Sequence, residues 1–165
     1  MEDLVYLDNA ATTFPKPECV YTTMDKFTRT NGVSLGRGQH ILSAKASSIA
    51  DETRELLLQL FHCSNKKVVF TNTATEALNI ILKGINISNG VNIYISPFEH
   101  NAVTRTLHYL LQKDDFNIIE LNADKKTFTL DADKIKAQFE TNPPFAVIVS
   151  HVSNVIGTVA SMRKY

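Results

Sequence analysis

Apolar residues along this chain recur with two periods. At Val68–Phe70, Val91–Ile95, Phe116–Leu121 and Phe145–His151 they form short runs flanked by polar turns, which reads as buried strand. Between these runs they fall at helical spacing. Val20, Met24 and Phe27 predict a helix from Pro17 to about Thr30, closed by Asn31-Gly32. Ala46, Ile49, Ala50, Thr53, Leu57, Leu60 and Phe61 give an apolar face to a long helix over 43–62, ended by Ser64-Asn65. Leu78, Ile81, Leu82 and Ile85 line one face of a helix that Gly84 suits to end. Val103, Leu107, Leu110 and Leu111 mark another, to about Lys113. Asp131 is a fitting N-cap for a last helix to about Glu140, which Asn142-Pro143-Pro144 breaks. Strands alternating with helices predict an α/β fold, a mostly parallel sheet flanked by helices on both faces.

In such sheets ligands sit outside the carboxyl ends of the strands. Three polar turns are expected at that edge, Thr73–Thr75, Glu99–Asn101 and Ser153–Asn154, each after a different strand and all converging on one crevice. The stretch 67–84 carries the clearest chemistry. A strand, a turn of threonines and a helix start in that order leave unpaired N–H groups and hydroxyls where a phosphate would fit, although an ordinary capped turn looks the same. Upstream, Asn9-Ala10-Ala11-Thr12-Thr13 is a run of small residues that permits close approach of a ligand or of another segment. Gly32–His40 is a glycine-rich loop holding Arg37 and His40.

Composition narrows the function classes. The chain has 165 residues, 44% hydrophobic and 21% charged, as expected of a globular domain. Its 17 basic and 17 acidic side chains balance, so no global field draws in nucleic acid or an anionic membrane. With no apolar run near ~20 residues and no basic leader, a cytoplasmic location is expected. Cys19 and Cys63 form no CxxC, and structural or incidental reduced thiols are expected. His40, His62, His100, His108 and His151 lack ligand spacing, so no metal is expected. Neither GxGxxG after the first strand nor GxxxxGK[ST] occurs, which removes support for an unrelated nucleotide-binding domain.

Five stretches in order carry a resemblance: LDNAATTFPKP at 7–17, GRGQHILS at 36–43, TNTATEALN at 71–79, EHNAV at 99–103 and SHVSNVIGT at 150–158. Together they resemble the class V, fold-type-I enzymes that use pyridoxal 5′-phosphate (PLP), and most of all the cysteine desulfurases. The resemblance implies the N-terminal portion of that family's large domain: an arm, helix and glycine-rich loop over 1–40, then an incomplete PLP-binding domain over 41–165. It implies that the Ala74 backbone and Thr75 hold the cofactor phosphate. His100 would stack on the pyridine ring and assist proton transfer, and Asn154 would hydrogen-bond the phenolic oxygen. Asn9, Ala10, Ala11, Arg37 and His40 would lie near the substrate. The implied parent converts L-cysteine to L-alanine, leaving sulfur as a persulfide on an enzyme cysteine, and works as a homodimer with a sulfur-acceptor protein.

The departures from the family pattern matter as much. No lysine stands in the Ser-x-His-Lys context that anchors the cofactor. The Asp-x-x-Gln turn that pairs with the ring nitrogen, the reactive cysteine on its loop and the carboxylate-binding arginine are likewise missing. Residues 1–165 are therefore expected to be the N-terminal part of a longer enzyme, inactive alone, with unfinished strand edges or apolar helix faces. The alternatives are a related class V aminotransferase or selenocysteine lyase, or a non-catalytic half-site that serves as a binding or assembly protein.

Overall fold

A computed structural model describes residues 5–160. Residues up to Phe70 form one compact unit and those from Thr71 onward another. The first is a helix pair, α1 (Glu18–Asn31) and α2 (Ile41–Leu60). Pro17, with φ −53°, stands at the N-cap of α1, its ring presetting the turn into the helix. α1 buries none of its residues completely: Val20 and Phe27 are half-buried, Met24 exposed. α2 buries Ser43 and Ala46, but of the apolar face expected from its sequence Ile49, Thr53, Leu60 and Phe61 are exposed. Two helices offer too little partner surface to cover a 20-residue apolar stripe. α2 also stops earlier than expected. The His62 amide donates to Gln59 O (3.1 Å) and the Cys63 amide to Leu58 O (2.9 Å), a Schellman closure with His62 left-handed at φ +52°.

The second unit runs α3 (Ala74–Gly84), β1 (Val91–Ile95), α4 (Asn101–Leu110), β2 (Phe116–Glu120), β3 (Ala123–Asp124), β4 (Thr129–Leu130), α5 (Ala132–Thr141) and β5 (Pro144–Ile148). β1 is central in a parallel sheet ordered β2-β1-β5, with Ile95 opposite both Glu120 and Ile148. Side chains alternate across β1. Ile93 and Ile95 face α3 and α4, in a core with Leu82, Val103, Leu107, Leu110 and Phe116. Tyr94 faces the opposite side with Leu121 and with Ile135 of α5. Its hydroxyl reaches Asn142 O (2.9 Å) and Gln138 O (3.2 Å) at the end of α5. The mostly parallel sheet flanked by helices is thus present.

Several expectations need correction. Val68–Phe70 is not a strand: among the described residues no backbone pairs with it, and an apolar run without a ladder partner has nothing to make it β. Instead the Arg54 guanidinium lies over the Phe70 ring at 5.0 Å. Only two of the three expected turns therefore follow strands. Ile81 and Leu111 are exposed, because α3 and α4 turn Leu82 and Leu107 toward the sheet. The polar stretch after β2 closes into the short β3–β4 hairpin, with Phe128 left-handed at φ +56° and edge-on to Phe98. On β5, Phe145 and Val147 are exposed, and among the described residues β5 pairs only with β1.

Candidate functional site at the carboxyl edge of the sheet

Three loop ends of the second unit carry the residues expected at a site, two of them after strands. At the start of α3, Thr73 is extended (φ −145°, ψ 155°) and its hydroxyl accepts from the Glu76 amide at 3.1 Å. Glu76 reaches back and accepts from the Asn72 amide at 2.9 Å, a reciprocal capping arrangement. That arrangement uses the third helical amide and leaves those of Ala74 and Thr75, which have no intrahelical acceptor. The Thr75 side chain is exposed and meets no partner among the described residues. Two amides, a hydroxyl and the positive end of an 11-residue helix are the groups an anion would meet here.

α4 begins with His100 as its N-cap, Nδ1 accepting from the Ala102 amide at 3.0 Å. A ring nitrogen that accepts carries no proton, so neutral His100 in this cap is the Nε2–H tautomer, and the residue is exposed. The first turns of α3 and α4 are linked through side chains. Asn79 donates to Thr75 O (2.9 Å), and the Thr106 hydroxyl lies 3.3 Å from Asn79 Oδ1 and 2.8 Å from Ala102 O. The third loop follows β5. Ser153 is buried, its carbonyl accepts from the Gly157 amide (2.9 Å), and Gly157 is left-handed at φ +68°. The Val152–Val159 bridge closes the hairpin and presents Asn154, exposed and with no side-chain partner among the described residues.

The other expected residues belong to the first unit. Asn9 organises its own loop, donating to Tyr6 O (3.4 Å) and accepting from the Phe14 amide (3.3 Å), next to Ala10 and Ala11. Arg37 is exposed. His40 is the N-cap of α2, Nδ1 accepting from the Ser43 amide at 3.3 Å. A Cβ on Gly38 would come within 2.7 Å of His40 Nε2, so glycine is what lets the loop pass the ring.

One element escaped the sequence reading. Glu99 accepts from the Ser96 hydroxyl (2.6 Å), the Ser150 hydroxyl (2.8 Å) and the Ser150 amide, tying the exit of β1 to the exit of β5. An acidic residue in a turn between strand and helix was visible, but its partner lies 51 residues away, and no local pattern announces such a pair. Beside this clamp, on the α5 side of the sheet, lies a cavity of about 400 Å³ lined by Ser96, Phe98, Leu130, Ser150 and Ser153 among others. None of Ala74, Thr75, His100 or Asn154 lines it. Among the described residues no three His, Cys, Asp or Glu side chains gather as metal ligands, and no helix is long and apolar enough to cross a membrane.

Comparison with known proteins places the chain in a family. The family model for aminotransferase class-V matches residues 5–164. A probable cysteine desulfurase of Methanothermobacter thermautotrophicus is 28% identical over 165 residues, covering 99% of this chain and 40% of that protein. The apo structure of a cysteine desulfurase from Thermococcus onnurineus NA1 superposes with a TM-score of 0.85 at 25% identity, over 97% of this chain and 40% of the other. A structure described as SspA in complex with cysteine has a TM-score of 0.76 at 24% identity, over 96% of this chain and 45% of the other. The chain thus spans about 40% of the length of such relatives.

Proposed function

The chain belongs to the aminotransferase class-V family, and from that premise we propose that it forms the phosphate-holding and ring-facing part of a PLP site in a cysteine desulfurase. The observation that carries this reading is the pair of open amides at Ala74 and Thr75, with the Thr75 hydroxyl, on a helix joined through Asn79 and Thr106 to the His100-capped start of α4. These groups fit the cofactor's chemistry. The amides and hydroxyl suit a dianionic phosphate, the Nε2–H of His100 suits a ring face or a proton transfer, and the Asn154 amide suits a phenolic oxygen. When bound, the cofactor supplies the electron sink for bond cleavage at an amino acid.

The protein's own part is to bind and orient. Ala74 and Thr75 hold the anionic end, Asn154 holds the oxygen substituent, and His100 offers a proton from Nε2 while its Nδ1 stays occupied by the cap. Asn9, Ala10, Ala11, Arg37 and His40 are proposed to stand near an L-cysteine substrate. A cytoplasmic homodimer handing sulfur to an acceptor protein is the proposed setting. Because no lysine of this chain stands in the anchoring context, residues 1–165 alone are proposed to lack desulfurase activity. The same fact favours a second reading, a non-catalytic half-site that binds the cofactor or a phosphate without turnover. A class V aminotransferase or selenocysteine lyase would use the same cofactor-binding residues.

Titration of the isotope-labelled chain with PLP, followed by amide and side-chain NMR, tests the proposal. Saturable shifts are expected at Ala74, Thr75, His100 and Asn154, and Thr75→Val should weaken binding by about tenfold, the value of one charge-assisted hydrogen bond. Unmoved resonances at all four residues would refute the site. The binding reading gains over the catalytic one if PLP binds yet added L-cysteine yields no alanine even when the lysine-bearing remainder of a relative is supplied.

A further inference from the structure

β1 and β5 run side by side to Ile95 and Ile148, and the Ser96 amide adds one more rung to Ile148 O at 3.0 Å. Beyond that rung the two chains part. One turns through Pro97 and Phe98 into α4; the other enters the Val152–Val159 hairpin. Among the described residues no backbone hydrogen bond joins them past this point, and the side chain that does is Glu99. Its carboxylate is half-buried and takes three donors, with Ser96 itself buried to 2% exposure.

The clamp lies one residue before His100 and, through Ser150, four residues before Asn154. Those are the two side chains that the functional reading places against the ring and its oxygen substituent, and each sits on a loop that departs from the sheet in its own direction. We propose that Glu99 is a positioning residue: by bridging Ser96 and Ser150 it fixes the separation between His100 and Asn154, so that both engage a single bound ring. The inference rests on the PLP-site reading above. It differs from a purely structural role in what it leaves untouched, since the Ala74–Thr75 anion site on α3 is capped by Thr73 and Glu76, and among the described residues no hydrogen bond joins that cap to Ser96, Glu99 or Ser150.

The test compares the full 165-residue chain with Glu99→Ala and Glu99→Gln, using the resonances named above and two probes, PLP and inorganic phosphate. Glu99→Ala should weaken PLP binding by about tenfold, with the loss centred on His100 and Asn154. The response of Ala74 and Thr75 to inorganic phosphate should stay within about twofold of wild type. Glu99→Gln keeps the length and one acceptor oxygen, and its amide can donate to a rotated serine hydroxyl, so it should restore most of the affinity. Wild-type PLP binding by Glu99→Ala overturns the proposal, and so does a parallel loss of both responses. If the wild-type chain ignores PLP, the functional reading fails by itself, and the clamp is judged without ligand from amide exchange over 151–157. Faster exchange there in Glu99→Ala, with α3 unchanged, supports the clamp; unchanged exchange overturns it.

Discussion

The two faces of the sheet are built to different degrees of completion. On the α3–α4 face, Ile93 and Ile95 of β1 meet Leu82, Val103, Leu107, Leu110 and Phe116, and even the β5 residues Ala146 and Ile148 pack against this cluster. On the other face, α5 covers Tyr94 and Leu121 through Ile135 and Phe139, but Phe145 and Val147 of β5 stay open to solvent. The same strand, β5, is therefore core on one side and surface on the other. The helix starts that carry the candidate site, those of α3 and α4, belong to the finished face. A site that must hold groups in fixed geometry gains from a platform whose side chains are interlocked.

The comparison breaks most readily at Leu107, which is 1% exposed at the centre of the finished face. Leu107→Ala should cost about 3 kcal/mol, the transfer term plus a cavity that tightly packed neighbours cannot close. Val147→Ala, at a position 44% exposed, should cost under about 1 kcal/mol, since the methyl groups removed are partly in water already. Urea unfolding of the two variants, followed by circular dichroism and by exchange of the β1 amides, checks the ratio. Equal costs would mean that the open face of β5 is covered in solution.

A smaller effect sharpens the description of the α5 face. Tyr94 is fully buried and is the largest side chain on that face, yet it is anchored by a polar tip directed at Asn142 O and Gln138 O. Tyr94→Phe keeps the ring and its edge-on contact with Phe139, whose centroid is 4.9 Å away. It should cost about 1–2 kcal/mol by leaving carbonyls at the end of α5 without a donor. Exchange of the amides near 138–142 should quicken while those of α4 hold. An equal response in α4 would mean that the two faces do not open separately.

How far the sequence reveals this architecture varies by element. Helical spacing locates α3 and α4 because their buried residues pack within one unit, and Asp131 announces α5 through a cap that needs only local geometry. The run Val68–Phe70 reads as strand for the right local reason and fails for a nonlocal one, since strand identity needs a neighbour to complete the ladder. His62 carries the left-handed closure of α2 where Gly or Asn would have signalled it, so the stop could not be seen. At the site, threonine and glutamate at 73 and 76 are a legible cap. The histidine caps at 40 and 100 are less so, because histidine at a helix start usually says little, and Glu99 with Ser150 is invisible without the fold. The resemblance supplied the roles of His100 and Asn154; spacing alone left both open.

The smallest effect separates the α5 face by charge. At the start of α5, the Asp131 side chain accepts from the Lys134 amide at 3.2 Å and pairs with the Lys134 ammonium at 2.8 Å. These contacts, the ammonium first, hold the Asp131 carboxyl below its ordinary range. In the β3–β4 hairpin, the amides of Lys126 and Thr127 do the same for Asp124. A carboxyl lowered on folding stabilises the folded state above its unfolded value, and that contribution is lost as pH falls through the lowered folded value. Asp124 is exposed and Asp131 lies at the surface, half-buried, beside an exposed lysine, so the loss is local loosening rather than unfolding. Exchange of the Lys126, Thr127 and Lys134 amides should accelerate, beyond its intrinsic pH trend, as the solution is taken below about pH 4. Asp131→Asn should remove the step at Lys134 and leave those at Lys126 and Thr127, because asparagine still caps the helix but has no proton to take up. A step surviving at Lys134 in that variant would place the titrating group elsewhere, and the pairing of Asp131 with α5 would no longer explain the acid response of this face.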